Sequence, residues 1–75
     1  MEQEQGAELR VFYFLVYKYG SVVPDVRKAD FVCVEKWVQD CIESEMETLK
    51  MQYANKAMRI VATEPVMEIK KEWVD

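Results

Sequence analysis

The sequence contains no histidine, and it has only two cysteines, two glycines and two prolines among its 75 residues. Without an imidazole, a Cys–His pair for nucleophilic catalysis is excluded. The two glycines, Gly6 and Gly20, are too few for a Gly-rich phosphate-binding loop. We therefore expect no catalytic residue, no bound cofactor and no metal, and the composition predicts a protein that is not an enzyme.

The spacing of the two cysteines argues against a disulfide. Cys33 and Cys41 are eight residues apart, so they do not form a Cys-x-x-Cys metal-binding pair. If both lay on one helix, its rise would separate them by about 12 Å, whereas a disulfide needs Cα atoms within about 7 Å. Two free thiols are typical of a reducing compartment, and we expect a cytoplasmic protein.

Long apolar runs and a signal peptide are also missing. The first ten residues, MEQEQGAELR, lack the basic and apolar pattern of a signal peptide. No apolar run approaches the roughly 20 residues of a membrane span. The net charge of −4 argues against binding to nucleic-acid phosphates and leaves room for a basic partner. We expect neither a membrane nor a nucleic acid as a partner.

A chain of 75 residues is expected to form one domain. The polar and acidic residues 1–8 are predicted to be a flexible tail, followed by the folded domain at 9–75. A domain of this size buries only roughly 60% of the surface of its unfolded chain, so its stability is marginal and dimerisation is a common remedy. We therefore expect a homodimer.

The densest strand signal is Leu9–Tyr19, which is rich in β-branched and aromatic residues. Alternation places one set of residues on the same side of this strand: Leu9, Val11, Tyr13, Leu15, Tyr17 and Tyr19. The other side is also apolar in its middle, so both sides should be covered. Because one helix covers only one side, either the C-terminal segment or a second copy of the chain is expected to cover the other.

The segment after this strand predicts a hairpin. Gly20 and Ser21 fit a type II′ turn, in which glycine supplies the positive φ. The predicted return strand is Val22–Arg27, and Pro24 indicates that this strand is an edge, because proline cannot donate a hydrogen bond to a ladder. Further along, Met58–Thr63 alternates as a third strand.

The longest periodic stretch, Asp30–Lys56, predicts one amphipathic helix with Asp30 as its N-cap and Asn55 near its end. We expect the helix to start between Asp30 and Glu35. In the later case the β-branched run Phe31–Val34 extends the second strand. The predicted core stripe consists of Phe31, Val34, Val38, Cys41, Ile42, Met46, Leu49 and Tyr53.

The C-terminal residues Val66–Asp75 fit two structures. As a helix, they place Val66, Ile69 and Trp73 on one face, and as a strand, Met67 and Ile69 would pair. We favour a short helix or an irregular tail anchored by Trp73. The predicted fold is therefore α+β: a small β-β-α-β domain, in which an antiparallel three-stranded sheet packs on one long helix, with a C-terminal extension.

One segment resembles a known family. The residues FVCVEKWVQDCI, at Phe31–Ile42, are similar to the Trp-containing helix of BRCT domains. The Gly-rich turn of that family and its upstream phosphate-binding Ser or Thr have no counterpart in this sequence. The similarity is therefore confined to this segment, and we assign the chain to no family.

Residues outside the core stripe of the predicted helix are candidates for an interface. Trp37, Ser44 and Met51 are seven residues apart and form a flank, and tryptophan and methionine are enriched at protein interfaces. The alternative is that the sheet edge or the C-terminal segment covers this flank.

Four acidic residues of the helix complete the candidate set. Asp40, Glu43 and Glu47 form a strip, which is either a solvated surface or a recognition surface for a basic site. Glu45 falls inside the core stripe, where an unpaired carboxylate costs several kcal/mol. It therefore either reaches solvent, makes an interface contact, or pairs with a cation. The candidate cations are Arg10, Lys18 and Arg59.

These features predict a small acidic accessory or inhibitor protein that binds another protein, of the kind that phages and other mobile elements encode. The candidate interface residues are Trp37, Ser44, Met51, Glu45, Asp40, Glu43, Glu47 and Trp73. The alternative is a nucleic-acid-associated or DNA-mimic regulatory module.

Overall fold

The strongest strand signal in the sequence becomes the strand around which the sheet is built. The computed structural model describes residues 6–64 and 69–74. Its elements, in chain order, are β1 (Glu8–Lys18), β2 (Asp25–Cys33), a 3-10 turn (Glu35–Trp37), α1 (Val38–Tyr53), a second 3-10 turn (Ala54–Lys56), β3 (Ala57–Thr63) and β4 (Ile69–Val74). One helix packs on an antiparallel four-stranded sheet, so the predicted α+β class is confirmed, with one strand more than expected.

The sheet has the strand order β2-β1-β3-β4, and every neighbouring pair is antiparallel. β1 is therefore internal: Phe14 lies opposite Arg27 of β2 on one side and opposite Ala62 of β3 on the other. β2 lies at one edge, as the proline at position 24 predicted.

The core forms between α1 and the side of the sheet that carries the even-numbered residues of β1. Its fully or nearly fully buried members are Phe12, Phe14 and Val16 of β1, Ala57, Ile60 and Ala62 of β3, and Val38, Ile42, Met46 and Leu49 of α1. The four helical residues were all in the predicted core stripe. Burying each large apolar side chain contributes roughly 1.5–3 kcal/mol, so this single layer supplies most of the favourable free energy of folding.

The second strand differs from its predicted bounds, and the helical path starts at the late end of the predicted range. Val22 and Val23 are exposed, and β2 begins only after Pro24. β2 continues to Cys33, so most of the β-branched run extends the strand. The helical path begins at Glu35, as expected for the case in which this run extends the strand. Asp30 is not an N-cap, because it pairs with Val11 of β1. The physical reason is the length of β1, which offers backbone partners as far back as Glu8.

Because Phe31 and Cys33 lie in a strand, the segment that is similar to the Trp-containing helix of BRCT domains is not a helix throughout. The predicted tail at residues 1–8 lies mostly outside the described residues, and its last residue, Glu8, belongs to β1.

The hairpin connection is longer than the predicted two-residue turn. The Ser21 N–H donates to the Lys18 carbonyl at 3.2 Å, which closes a turn over Tyr19 and Gly20. Gly20 has a φ of 78°, so the prediction that glycine supplies the positive φ is correct. The type II′ hairpin is wrong, because three further residues precede β2.

The C-terminal segment is a strand, and the favoured helix is wrong for the residues that the structure describes. Ile69–Val74 forms β4 against β3, with Trp73 opposite Ile60. Pairing with β3 satisfies backbone groups that a helix would have left open at a sheet edge. Trp73 does anchor the segment, because it packs against the core. Met67 lies outside the described residues.

The helix ends through an unusual backbone conformation. Ala54, which follows α1, has a φ of 54° and a ψ of −125°. Side chains other than glycine rarely adopt a positive φ of this kind, and each such residue costs on the order of 1–3 kcal/mol. Asn55, the expected stop, has an ordinary φ of −98°. The reversal that directs the chain from α1 into β3 therefore depends on Ala54.

Replacing Ala54 by glycine is expected to stabilise the protein. Ala54→Gly should raise the free energy of unfolding by about 1 kcal/mol, because glycine adopts the positive φ without a clash. Asn55→Gly is the matched control and should lower it, by up to about 1 kcal/mol, since its φ is negative. Urea unfolding measures both. Stabilisation by the second variant alone would show that the chain reverses at Asn55.

Candidate protein-interaction surfaces

The predicted helix flank of Trp37, Ser44 and Met51 lies on the solvent side of the helix. Trp37 is 52% exposed and Met51 is 78% exposed, and Ser44 is also exposed. The described part of the sheet does not cover this flank, so the alternative of a covered flank is wrong for these residues. Trp37 belongs to the 3-10 turn that precedes α1, with the Lys36 ammonium 5.4 Å from its ring centroid.

Five of the eight candidate residues surround one groove between α1 and β4. They are Asp40, Glu43, Ser44, Glu47 and Trp73, and the groove has a volume of about 600 Å³. Its depth comes from the spacing between a helix and an edge strand. The sequence predicted the helical members from their period, but it did not predict that β4 would form the opposite wall.

The acidic strip in this groove is partly neutralised. Glu43 forms an ion pair with Lys71 of β4 at 2.9 Å, and Glu47 pairs with Lys50 at 3.6 Å. The Lys50 ammonium also lies 4.9 Å from the ring centroid of Trp73. The Glu43–Lys71 pair and the contact of Lys50 with Trp73 tie α1 to β4. The two ion pairs leave Asp40 as the member of the strip for which the described residues provide no ion pair.

Glu45 lies on the other side of α1, above β2. It is half-buried and lines a shallow hollow that also includes Phe31 and Cys41. The predicted ion pairs are wrong, because each of the three candidate cations binds another carboxylate: Arg10 binds Glu35 at 3.1 Å, Lys18 binds Asp25 at 3.3 Å, and Arg59 binds Glu72. Among the described residues, Glu45 forms no ion pair, and the partly open position indicates that its carboxylate is hydrated.

The two cysteines lie on different elements, and not on one helix as expected. Cys33 ends β2, and Cys41 lies in the first turns of α1. Burial raises the pKa of the Cys41 thiol, and the neighbouring Cys33 and the carboxylate of Asp40 raise it further. Cys41 is therefore a neutral thiol at pH 7, and not an activated nucleophile.

None of the eight candidate interface residues lies on the side of the sheet opposite α1, which carries the odd-numbered residues of β1. We call this surface the open sheet face. Its apolar members are Leu9, Val11, Tyr13, Leu15 and Tyr17 of β1, Val26 and Val32 of β2, and Val74 of β4. Val61 of β3 lies on the same side but is buried. Within residues 6–64 and 69–74 no element packs on this face, and Leu9, Val26, Val32 and Val74 are each at least 60% exposed.

The signal for this surface was present in the sequence, since alternation put the tyrosines and leucines of β1 on one side. The described C-terminal residues do not cover it, because β4 lies beside β3 in the same sheet. Charged residues of both signs border the face: Lys28 and Asp30 on β2, and Arg59 and Glu72 at the other edge. The Arg59 guanidinium lies 5.1 Å from the centroid of the Tyr17 ring.

No protein-family model matches the chain, and no curated protein or solved structure is similar to it. In the described part of the chain, no group of three or more carboxylates or thiols could hold a metal ion. The helix of these residues is neither long enough nor apolar enough to cross a membrane.

Removing the Glu45 carboxylate is expected to leave stability nearly unchanged. Glu45→Ala should alter the free energy of unfolding by no more than about 0.5 kcal/mol, because the side chain is partly exposed and has no ion-pair partner among the described residues. Ile42→Val, one turn earlier and fully buried, should cost about 1 kcal/mol. Chemical denaturation compares the two variants. A loss above about 2 kcal/mol for Glu45→Ala would show that a buried interaction of this carboxylate was missed.

Proposed function

We propose that this chain is a small acidic accessory or inhibitor protein, which acts in the cytoplasm by binding another protein and not by catalysis. The observation that carries the proposal is the open sheet face. A stable monomer normally exposes large apolar side chains singly, whereas a contiguous apolar patch of several strands marks a site of association. Here Leu9, Val26, Val32 and Val74 leave most of their surface exposed on the same side of one sheet.

We propose a second copy of the chain as the occupant of this face. Three strand spacings of about 4.8 Å and a length of roughly 30 Å give the face a flat area on the order of 400 Å². Its pleated, accessible surface is larger than this flat area, and a standard interface buries roughly 800 Å² per partner. A homodimer would also supply the buried apolar area that a chain of 75 residues lacks.

The charges around the face support self-association. In a two-fold dimer the same patch contacts itself, so it must be complementary to its own copy. The β2 side of the open sheet face offers one cation and one anion, Lys28 and Asp30, and at the β4 side Arg59 and Glu72 neutralise each other in an ion pair. Neither relative orientation of the two copies therefore forces a block of like charges together.

Pairing of sheet edges is less well supported than contact between faces. The outer strands carry many charged residues: Asp25, Arg27, Lys28 and Asp30 on β2, and Lys70, Lys71 and Glu72 on β4. Charged edge strands are a common means of preventing edge-to-edge association. The open sheet face carries most of its charges at the rim and has apolar residues in its middle.

We further propose that the second, different partner is basic and binds on the helix side. The net charge is −4, and Asp40 is exposed next to the helix flank of Trp37, Ser44 and Met51. Such a charge mainly affects the rate of association and its salt dependence. A hydrophobic flank beside an exposed carboxylate combines contact area with electrostatic attraction.

The alternative of a nucleic-acid-associated or DNA-mimic module has weaker support. Two of the three carboxylates of the acidic strip are paired with lysines, so few charges remain to imitate phosphates. The basic residues do not collect into a patch either. Arg27 donates to the Tyr53 hydroxyl on the helix side of the sheet, whereas the adjacent Lys28 belongs to the opposite side. Fluorescence anisotropy should show no salt-sensitive binding of the chain to a labelled oligonucleotide.

A single charge on the open sheet face is expected to dissociate the dimer. Val26→Lys should lower the mass measured by light scattering at tens of micromolar from that of a dimer to that of one chain, because the ammonium would be buried at the interface. Val22→Lys is the matched control: Val22 is 95% exposed in the hairpin connection, and its substitution should leave the dimer intact.

Two results would contradict a dimer formed through the open sheet face. A wild-type chain that has the mass of one copy at these concentrations has no homodimer of useful stability. A dimer that survives Val26→Lys but dissociates with Met51→Lys would instead place the contact at the helix flank. Circular dichroism of each variant verifies that the fold is retained.

A further inference from the structure

The side chains that β2 contributes to the open sheet face form a row with an internal symmetry. Along the strand they are Val26, Lys28, Asp30 and Val32, with Ala29 at the midpoint. A valine stands at each end of the row, and the two central positions carry opposite charges. Reversing the direction of the row therefore places valine on valine and each charge on its opposite. We call these four residues the outward row.

The outward row is exposed along its whole length. The intervening residues Ala29, Phe31 and Cys33 pack against the core, so the row lies on the other side of the sheet. Val26 is 60% exposed and Val32 is 67% exposed, and the two charged residues are exposed as well. Within residues 6–64 and 69–74, neither of these two charges takes part in an ion pair. Both charges are therefore available for a contact with another molecule.

We propose that two copies of the chain pack face to face about a two-fold axis that passes over Ala29 and runs across the strands. This inference rests on the proposed homodimer and specifies which residues meet in it. The axis places Lys28 of one copy against the partner's Asp30, and Val26 against the partner's Val32. Because every contact in a two-fold dimer occurs twice, the outward row supplies two ion pairs and two apolar contacts.

The neighbouring strand β1 fits the same axis. Phe12 lies opposite Ala29, so the axis crosses β1 at Phe12. It then places Leu9 on the partner's Leu15 and the two residues adjacent to Phe12 on each other, and all of these are apolar or aromatic. Packed sheets cross at about 30°, so the axis drifts by only about 1.3 Å between neighbouring strands, less than half the rise of one residue. The pairing set by β2 therefore extends to β1.

The other way to stack the two faces has its two-fold axis along the strands. That arrangement would place β2 over β4 of the partner. The single carboxylate of β4, Glu72, is already paired with Arg59 of its own chain, so Lys28 would gain no unpaired carboxylate from this strand. The self-complementary outward row therefore favours the axis across the strands.

Charge reversal within the outward row tests the position of the axis. Lys28→Asp makes both central positions acidic and Asp30→Lys makes both basic, so each variant alone should meet like charges at two contacts. We expect the dissociation constant of each homodimer to rise about 100-fold, roughly 10-fold for each contact. An equal mixture of the two variants should dimerise as tightly as the wild type, because every contact then joins an acidic row to a basic one.

Sedimentation equilibrium measures these constants, and native mass spectrometry identifies the mixed dimer by its mass. The double variant Lys28→Asp/Asp30→Lys restores a self-complementary row, so it should form a homodimer as tight as that of the wild type. Arg27→Asp is the matched control. It changes the net charge by the same amount as Lys28→Asp and lies on the same strand, but Arg27 donates to Tyr53 on the helix side, and its replacement should leave the dimer intact.

The results separate this inference from the homodimer itself. A wild-type chain with the mass of one copy would overturn both. A wild-type dimer that withstands both single reversals would overturn the axis over Ala29 alone, and so would a mixture of the two variants that remains as single chains. Circular dichroism verifies the fold of each variant, and Lys28→Glu and Asp30→Arg replace any variant that unfolds.

Discussion

The packing of α1 against one side of β1 is the contact on which the remaining structure depends. Phe12, Phe14 and Val16 enter the core from this strand, and the strands on both sides take their register from it. A shift of one residue would exchange these side chains for the tyrosines and leucines of the opposite side. Because β1 is apolar on both sides and residues 6–64 and 69–74 form one α-helix, the same strand that defines the core also creates the open sheet face.

Much of this architecture could be predicted from the spacing of apolar residues along the sequence. Most differences between the predicted and the observed structure lie at the ends of the helix and strands. The period of 3.6 correctly placed Val38, Ile42, Met46 and Leu49 in the core. It could not decide between strand and helix at Phe31–Val34, where the length of β1 favoured the strand. It also misassigned the described C-terminal residues, because the open edge of β3 stabilises an extended partner more than local helical preference does. Backbone pairing between distant segments has no signature within either segment.

For the interaction surfaces, too, the sequence predicted relations within one element better than relations between elements. Asp40, Glu43 and Glu47, which the sequence placed on one face of the helix, surround a common groove, and Ser44, which the sequence placed on the separate flank, also lines it. Relations between elements were missed. The sequence placed Cys33 and Cys41 on one continuous helix, whereas Cys33 ends a strand and Cys41 belongs to α1. The sequence predicted that the second side of β1 would be covered, either by the C-terminal segment or by a second copy of the chain. Only the position of β4 beside β3 shows that the described C-terminal residues do not cover it.

The position of β1 inside the sheet has a consequence for the order of folding. Its pairing with β2 is local, whereas its pairing with β3 must wait until the chain has passed through all of α1. Closing that longer loop is the slower event. During the interval β1 has an unpaired edge as well as apolar sides, which is the combination that promotes association between incomplete chains. The yield of folded protein is therefore set by a competition between intramolecular docking of β3 and concentration-dependent capture of β1 by another copy.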